Sequence, residues 1–227
     1  MALPFRSGPE PAARRRRQFL SREEIIEAAA AILERDGYDA LNMRAIAAEL
    51  GVRAAALYRY VQSREELDDI LFDHLMAGCT PALQGKDWRE DLRAIAQAWR
   101  ERLVSRRDAT RIALGQISIG PNLLPLMEAT LGVLRGAGLG DEALVEAYRT
   151  LTLFVHSFAS SEAAYRSLQA RDGGVRFSPA QPEWVAPYPL VSAVAERLSR
   201  PADFDKHFAF ALDALIAGIE RRLTTSA

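Results

Sequence analysis

The sequence predicts an all-α protein built as a small N-terminal three-helix domain followed by a larger C-terminal helical domain. Three observations carry this. Apolar residues recur at i, i+3, i+4 and i+7 spacing in segment after segment. Helix-starting residues stand before those runs, and glycines stand after the first two of them. The chain has 227 residues with 49% of them apolar, enough to bury one large core or two modest ones.

Ser21 and Glu24 have the S-x-x-E spacing of a capping box, and Ile25, Ala29, Ile32 and Leu33 follow at helical spacing before Gly37. Asn42 is a good N-cap for a second helix carrying Met43, Ile46, Ala47 and Leu50, which Gly51 ends. A third helix is predicted from Arg53 to Val61, with Leu57 and Val61 turned inward. Ser63 and Glu66 form another capping-box pair, opening a helix with Leu67, Ile70, Leu71 and Leu75 on one face. Two short helices hinged at a glycine, the second lined outside by small residues, make a helix-turn-helix whose second helix suits a DNA major groove.

Charge agrees mildly with that reading. Residues 1–64 hold eleven Lys/Arg against eight Asp/Glu, and 65–227 hold eighteen against twenty-two, so +3 faces −4. Residues 1–17 are read as a disordered arm containing the unbroken run Arg14, Arg15, Arg16 and Arg17, either a solvated tail or an arm on DNA phosphates or in a minor groove. The reader domain is then placed at 18–66 and the remainder at 67–227.

Other function classes find little support. The three histidines, 74, 156 and 207, show no metal-ligand spacing, and no nucleophile–base pair, phosphate loop or Cys motif appears, so neither catalysis nor a metal or cofactor is expected. Cys79 is the single cysteine, which rules out an intrachain disulfide and suits a reducing cytoplasm. No apolar run approaches the roughly eighteen residues of a membrane span.

Beyond the reader, helices are predicted over 86–104, 108–117, 122–134, 141–168, 190–198 and 203–223. Residues 169–189 lack a period and are rich in Pro and Gly, the mark of a functional lid or a disordered loop. The helices at 141–168 and 203–223 are apolar almost all round, with Leu151, Leu153, Phe154, Val155 and Phe158 in one and Phe204, Phe208, Phe210, Leu212, Leu215, Ile216 and Ile219 in the other. Such helices are either central in the core or paired with their copies in a four-helix homodimer interface.

Residues 20–71, LSREEIIEAAAAILERDGYDALNMRAIAAELGVRAAALYRYVQSREELDDIL, resemble the DNA-binding domain of the tetracycline-repressor (TetR) family, with the L-Y-R-Y motif between two capped helices. The C-terminal part resembles the tetracycline-repressor subgroup more weakly, in FAFALDALIAGIERRL and from Trp88 to Asp108. The resemblance implies a homodimeric regulator, most simply a repressor, that binds a double-stranded DNA operator of two half-sites about 34–36 Å apart or a multiple. It also implies release by a small-molecule effector.

Site residues follow from chemistry and family together. Tyr58 and Tyr60 carry phenols suited to phosphate oxygens and match the family's backbone clamp, while Tyr60 could instead pack on the first helix. Arg64 lies at a helix N-terminus, where an anion is favoured. Arg44 matches a family position that reaches a base or phosphate and can grip guanine; Arg53 joins it. Ala54, Ala55 and Ala56 can only offer methyls to thymine methyls, and Arg59 is open between base, phosphate and solvent.

For the effector, Trp99, Gln116, Ser118, Tyr148, His156 and Trp184 are the candidate lining, each with a plain core-packing alternative. Where the subgroup holds its drug–magnesium complex, this chain matches the aromatic with Trp99 but has Ile95 in place of an Asn and Ala113 in place of the metal-binding His. The implied effector is therefore hydrophobic or aromatic and needs no magnesium.

Overall fold

The computed structural model describes residues 20–113, 119–172 and 182–225. Eleven helical segments and no strand are found among the described residues. They are α1 (Arg22–Asp36), α2 (Met43–Glu49), α3 (Ala54–Leu57), α4 (Arg64–Leu75), α5 (Trp88–Ser105), α6 (Ala109–Ala113), α7 (Leu124–Gly136), α8 (Asp141–Asp172), α9 (Pro182–Val185), α10 (Pro189–Leu198) and α11 (Phe204–Thr225). None of the described helices is long and apolar enough to cross a membrane.

The reader's helices start where side chains satisfy free amides. Ser21 Oγ accepts from Glu24 N at 3.1 Å, and the Glu24 carboxylate accepts from Ser21 N at 2.9 Å, a complete capping box. Asn42 Oδ1 accepts from the amides of Arg44 and Ala45, both at 3.0 Å. At α4 the second expected box is only half made. Ser63 Oγ accepts from Glu66 N, but the Glu66 carboxylate reaches one residue further back, to Gln62 N at 2.7 Å.

The third helix is shorter than its pattern predicts. It covers one turn, Ala54–Leu57, with Arg53 as an extended N-cap and 58–60 in a turn. Leu57 and Val61 are both fully buried, and Val61 N still donates to Leu57 O, so the apolar spacing is real although the helix frays beyond Leu57. Gly51, at φ 65°, makes the turn between α2 and α3, a conformation that a side chain disfavours.

Two buried carboxylates fix the loops around the C-terminal domain. Asp73 of α4 accepts from the amides of Asn122 and Leu123 and from Asn122 Nδ2, standing in for the side-chain cap that α7 lacks. Gly120 packs so tightly on it that a Cβ there would lie 2.2 Å from the Asp73 carboxyl carbon. Asp91 of α5 likewise accepts from Gln84 N and Gly85 N and fixes the loop before its own helix.

In the C-terminal domain α5 lies against α7 and α8, and α8 also meets α6 and α11. One continuous apolar core runs from Ile25 to Ile219, and α4 spans the boundary expected between residues 66 and 67 as one unbroken helix. Phe154, Phe158, Phe204 and Phe208 form an aromatic cluster between α8 and α11.

Several boundaries differ from expectation. The 169–189 stretch is not loop throughout, because α8 continues to Asp172, α9 occupies Pro182–Val185 and α10 begins at Pro189. Neither α8 nor α11 is buried all round within one chain: Leu153 is 68% exposed and Phe210 77%. No residue of α10 is buried.

Candidate nucleic-acid interface and effector core

The reader presents its polar groups outward from a rigid base. Arg35 bridges α1 to Glu49 of α2 through two bonds at 3.3 and 3.0 Å, and Arg22 bridges α1 to Glu66 of α4 at 2.7 Å. On that base Arg44, Arg53, Ala55, Tyr58 and Arg59 are exposed, while Ala54, Ala56, Tyr60 and Arg64 are half-buried. Tyr60 also packs against the core, so its ring serves the fold whatever its hydroxyl does.

Arg64 is not a free cation. Its Nε donates to Asp68 Oδ1 at 2.9 Å, its Nη1 donates to Leu41 O, and its guanidinium lies over the Tyr38 ring at 4.4 Å. This residue sits at the first turn of α4, where the helix dipole favours an anion, and it is held there rather than left to sample solvent.

The core of the C-terminal domain joins some of the predicted effector residues and separates others. Trp99 is buried, with its indole 5.2 Å from the His156 ring in an edge-to-face contact, and Phe72 of α4 meets His156 from another side at 5.9 Å. Burial pushes the His156 imidazole down to about 4, so it is neutral at pH 7. Trp99 Nε1 and His156 Nε2 are buried without a hydrogen-bond partner among the described residues. Such groups normally find one.

Tyr148 is half-buried on the same helix, and burial raises its phenol's pKa. Trp184 does not reach this core; it lies on α9, 63% exposed. Gln116 and Ser118 fall outside the described residues.

Sequence reading passed over Phe72, Thr152 and Ser160. The last two complete an i, i+4 ladder, Tyr148–Thr152–His156–Ser160, down one face of α8, and Ser160 Oγ is a further buried atom without a partner among the described residues. The four-residue rhythm of polar groups inside an apolar helix was the available signal. Ile95 and Ala113 are both buried and apolar, as their side chains require.

Comparison with known proteins matches both halves of the chain. Residues 25–68 match the family model described as "Bacterial regulatory proteins, tetR family", and residues 80–223 match "Tetracyclin repressor-like, C-terminal domain". The chain belongs to the TetR family. It is a DNA-binding transcriptional regulator of that family. It is 32% identical to the HTH-type transcriptional repressor DrrR1 of Streptomyces coeruleorubidus, over 94% of this chain and 79% of that one. It is also 30% identical to the class G tetracycline repressor of Vibrio anguillarum, over 89% and 94% of the two chains. Among solved structures, apo ActR from Streptomyces coelicolor superposes with a TM-score of 0.79 at 29% identity, covering 92% of this TetR-family chain and 98% of ActR. ActR in complex with actinorhodin gives 0.78 at 28% identity, covering 92% and 100%.

Proposed function

We propose that this protein is a repressor that binds a palindromic operator as a homodimer and leaves it when a small hydrophobic or aromatic effector occupies the C-terminal core. Arg44 and Arg53 supply the polar base contacts, the Ala54–Ala56 turn supplies methyl contacts, and Tyr58, Tyr60 and Arg64 hold phosphates, with Arg59 beside them. The dimer forms through α8 and α11, where Leu153 and Phe210 stand exposed on single-chain surfaces that a four-helix interface would cover.

The observation that carries the effector reading is the pair of buried polar atoms without a partner among the described residues, Trp99 Nε1 and His156 Nε2, inside a core walled by Trp99, His156 and Phe72. An indole N–H can only donate, and a neutral imidazole can donate or accept. A compound bearing carbonyl or hydroxyl groups would satisfy them where a hydrocarbon would not, and the Trp99, His156 and Phe72 rings favour an aromatic body. The ActR complex with actinorhodin and the relatedness to a tetracycline repressor support an effector of that kind. Ile95 and Ala113 oppose the drug–magnesium mode.

A footprint of the protein on DNA flanking its own gene tests the reader, and should show a short palindrome. Actinorhodin and smaller hydroxylated quinones then serve as probes. A compound that raises the melting temperature should also release the operator, because each ligand must weaken the other reciprocally. Operator affinity that stays constant while such a compound saturates the protein would overturn the sensor reading and leave a ligand-independent regulator or activator.

A further inference from the structure

We infer that Tyr38 is a positioning residue that carries the state of the C-terminal domain to Arg64 and, through it, to the DNA backbone. This rests on reading Arg64 as a phosphate contact. Tyr38 lies in the loop between α1 and α2, away from the α3 turn, yet groups from both domains converge on it.

From the reader side, its ring takes the Arg64 guanidinium at 4.4 Å, and its hydroxyl donates to Asp68 Oδ2 at 2.6 Å. The other oxygen of that buried carboxylate accepts from Arg64 Nε at 2.9 Å. Ring, carboxylate and guanidinium therefore close a loop that fixes where Arg64 can point.

From the C-terminal side, the α5–α6 corner grips the same residue. Tyr38 N donates to Asp108 Oδ2 at 2.8 Å, and Asp108 holds a left-handed backbone, φ 54°, rare for a residue with a side chain. Arg111 of α6 brings a second guanidinium over the ring at 4.9 Å and clasps neighbouring Asp39 with two bonds at 2.8 and 3.1 Å. Arg107 donates to the last carbonyls of α1, Glu34 O and Arg35 O, at 3.2 and 2.6 Å.

The corner is also in register with the effector core. Helix α6 packs on α8, which carries the His156–Ser160 ladder, and a cleft of about 710 Å³ has Tyr38, Arg111 and Ser160 among its walls. Of the five α6 residues only Arg111 is exposed; the other four are buried, and the helix packs on α4, α5 and α8, so a displacement of α8 is passed to it as a body. A shift of α6 moves Arg111 and Asp108 together, and the Tyr38 ring must follow, taking with it the seat of Arg64.

The test is operator binding by fluorescence anisotropy over a range of salt, on Tyr38→Leu, Tyr38→Phe and Arg111→Ala, each with and without Arg64→Ala. Tyr38→Leu should weaken binding about tenfold, within the range found for directly coupled neighbours. It should also flatten the salt dependence toward that of Arg64→Ala, by roughly 0.9 in slope for each phosphate no longer neutralised. Tyr38→Phe keeps the ring and should lose less. Arg111→Ala, though in another domain, should weaken binding a few-fold, and both effects should vanish once Arg64 is alanine.

Tighter binding by Tyr38→Leu, a change in melting temperature alone, or full effects that persist in the Arg64→Ala background would overturn the inference. If Arg64→Ala itself leaves the salt slope unchanged, the phosphate reading fails and the inference goes with it. If Arg64→Ala flattens the slope while the Tyr38 and Arg111 variants act independently of it, only the coupling fails. Should Tyr38→Leu not fold, Tyr38→Phe and Arg111→Ala carry the same double-variant comparison.

Discussion

Arg100 Nε lies 2.7 Å from Glu162 Oε2 at the centre of the C-terminal domain, with the two residues only 3% and 0% exposed. Asp205 at the start of α11 and Arg166 one turn along α8 complete the cluster, and the Phe158 and Phe208 rings lie beneath the Arg100 guanidinium. Removing Arg100 leaves the buried Glu162 carboxylate to Arg166 alone among these partners, a side chain that is itself largely exposed. Arg100→Met should cost about 3–5 kcal/mol in urea denaturation, while Arg100→Met with Glu162→Met should recover most of it. A single variant no worse than a surface pair, about 0–1 kcal/mol, would show that solvent reaches the site.

The arginine and tyrosine contacts of the reader should separate in a competition assay. Arg44→Ala should lose about 1–3 kcal/mol of preference for the best operator over one with a substituted base pair. Tyr58→Phe should weaken all sequences by one common factor, since a phosphate carries no base identity. Equal weakening of every sequence by Arg44→Ala would remove it from base readout.

His156 gives the C-terminal core a pH dependence of known sign. Its folded pKa, about 4, lies below the ordinary imidazole value of 6.5, so between those values the unfolded chain binds a proton that the folded one refuses. Stability should therefore be whole above about pH 6.5 and fall as pH drops toward 4. Melting curves of the wild type should decline more steeply across that window than those of His156→Phe. Parallel declines would place the imidazole in water.

Gly120→Ala should loosen the joint between α4 and α7. Its methyl would fall inside the Asp73 carboxylate, which must then give up its bonds to Asn122 and Leu123. A loss of about 1–3 kcal/mol is expected, overlapping rather than adding to that of Asp73→Ala. Additive losses would mean that the two act separately.

Phe210→Asp should yield monomers in light scattering with helical content intact, because the exposed ring stands in the surface proposed for an α8–α11 dimer. Operator affinity should fall with it, since one reader spans only one half-site. A dimer that survives the charge would move the interface elsewhere.

Much of this was legible from the residues, and the reasons differ by element. Ser21, Asn42 and Gly51 act locally, through amides within a few residues, so their roles could be read from spacing alone. Trp99 and His156 were legible as an aromatic and a polar group on apolar helices. What escaped depends on distant partners. Asp73 capping α7, Asp108 holding Tyr38 and Arg100 pairing with Glu162 join residues 49 to 70 positions apart. The early end of α3 was hidden because Val61 keeps its buried, helix-spaced place after the helix has stopped.

That single turn of alanines has an evolutionary consequence. The exposed side chain at position 55 supports nothing in the core, and the base beneath it is tied by Arg35–Glu49 and Arg22–Glu66. A serine, glutamine or asparagine could replace the methyl there without disturbing a packed neighbour. If position 55 faces the operator as proposed, operator preference is free to drift by one-residue steps while the packed core stays as it is.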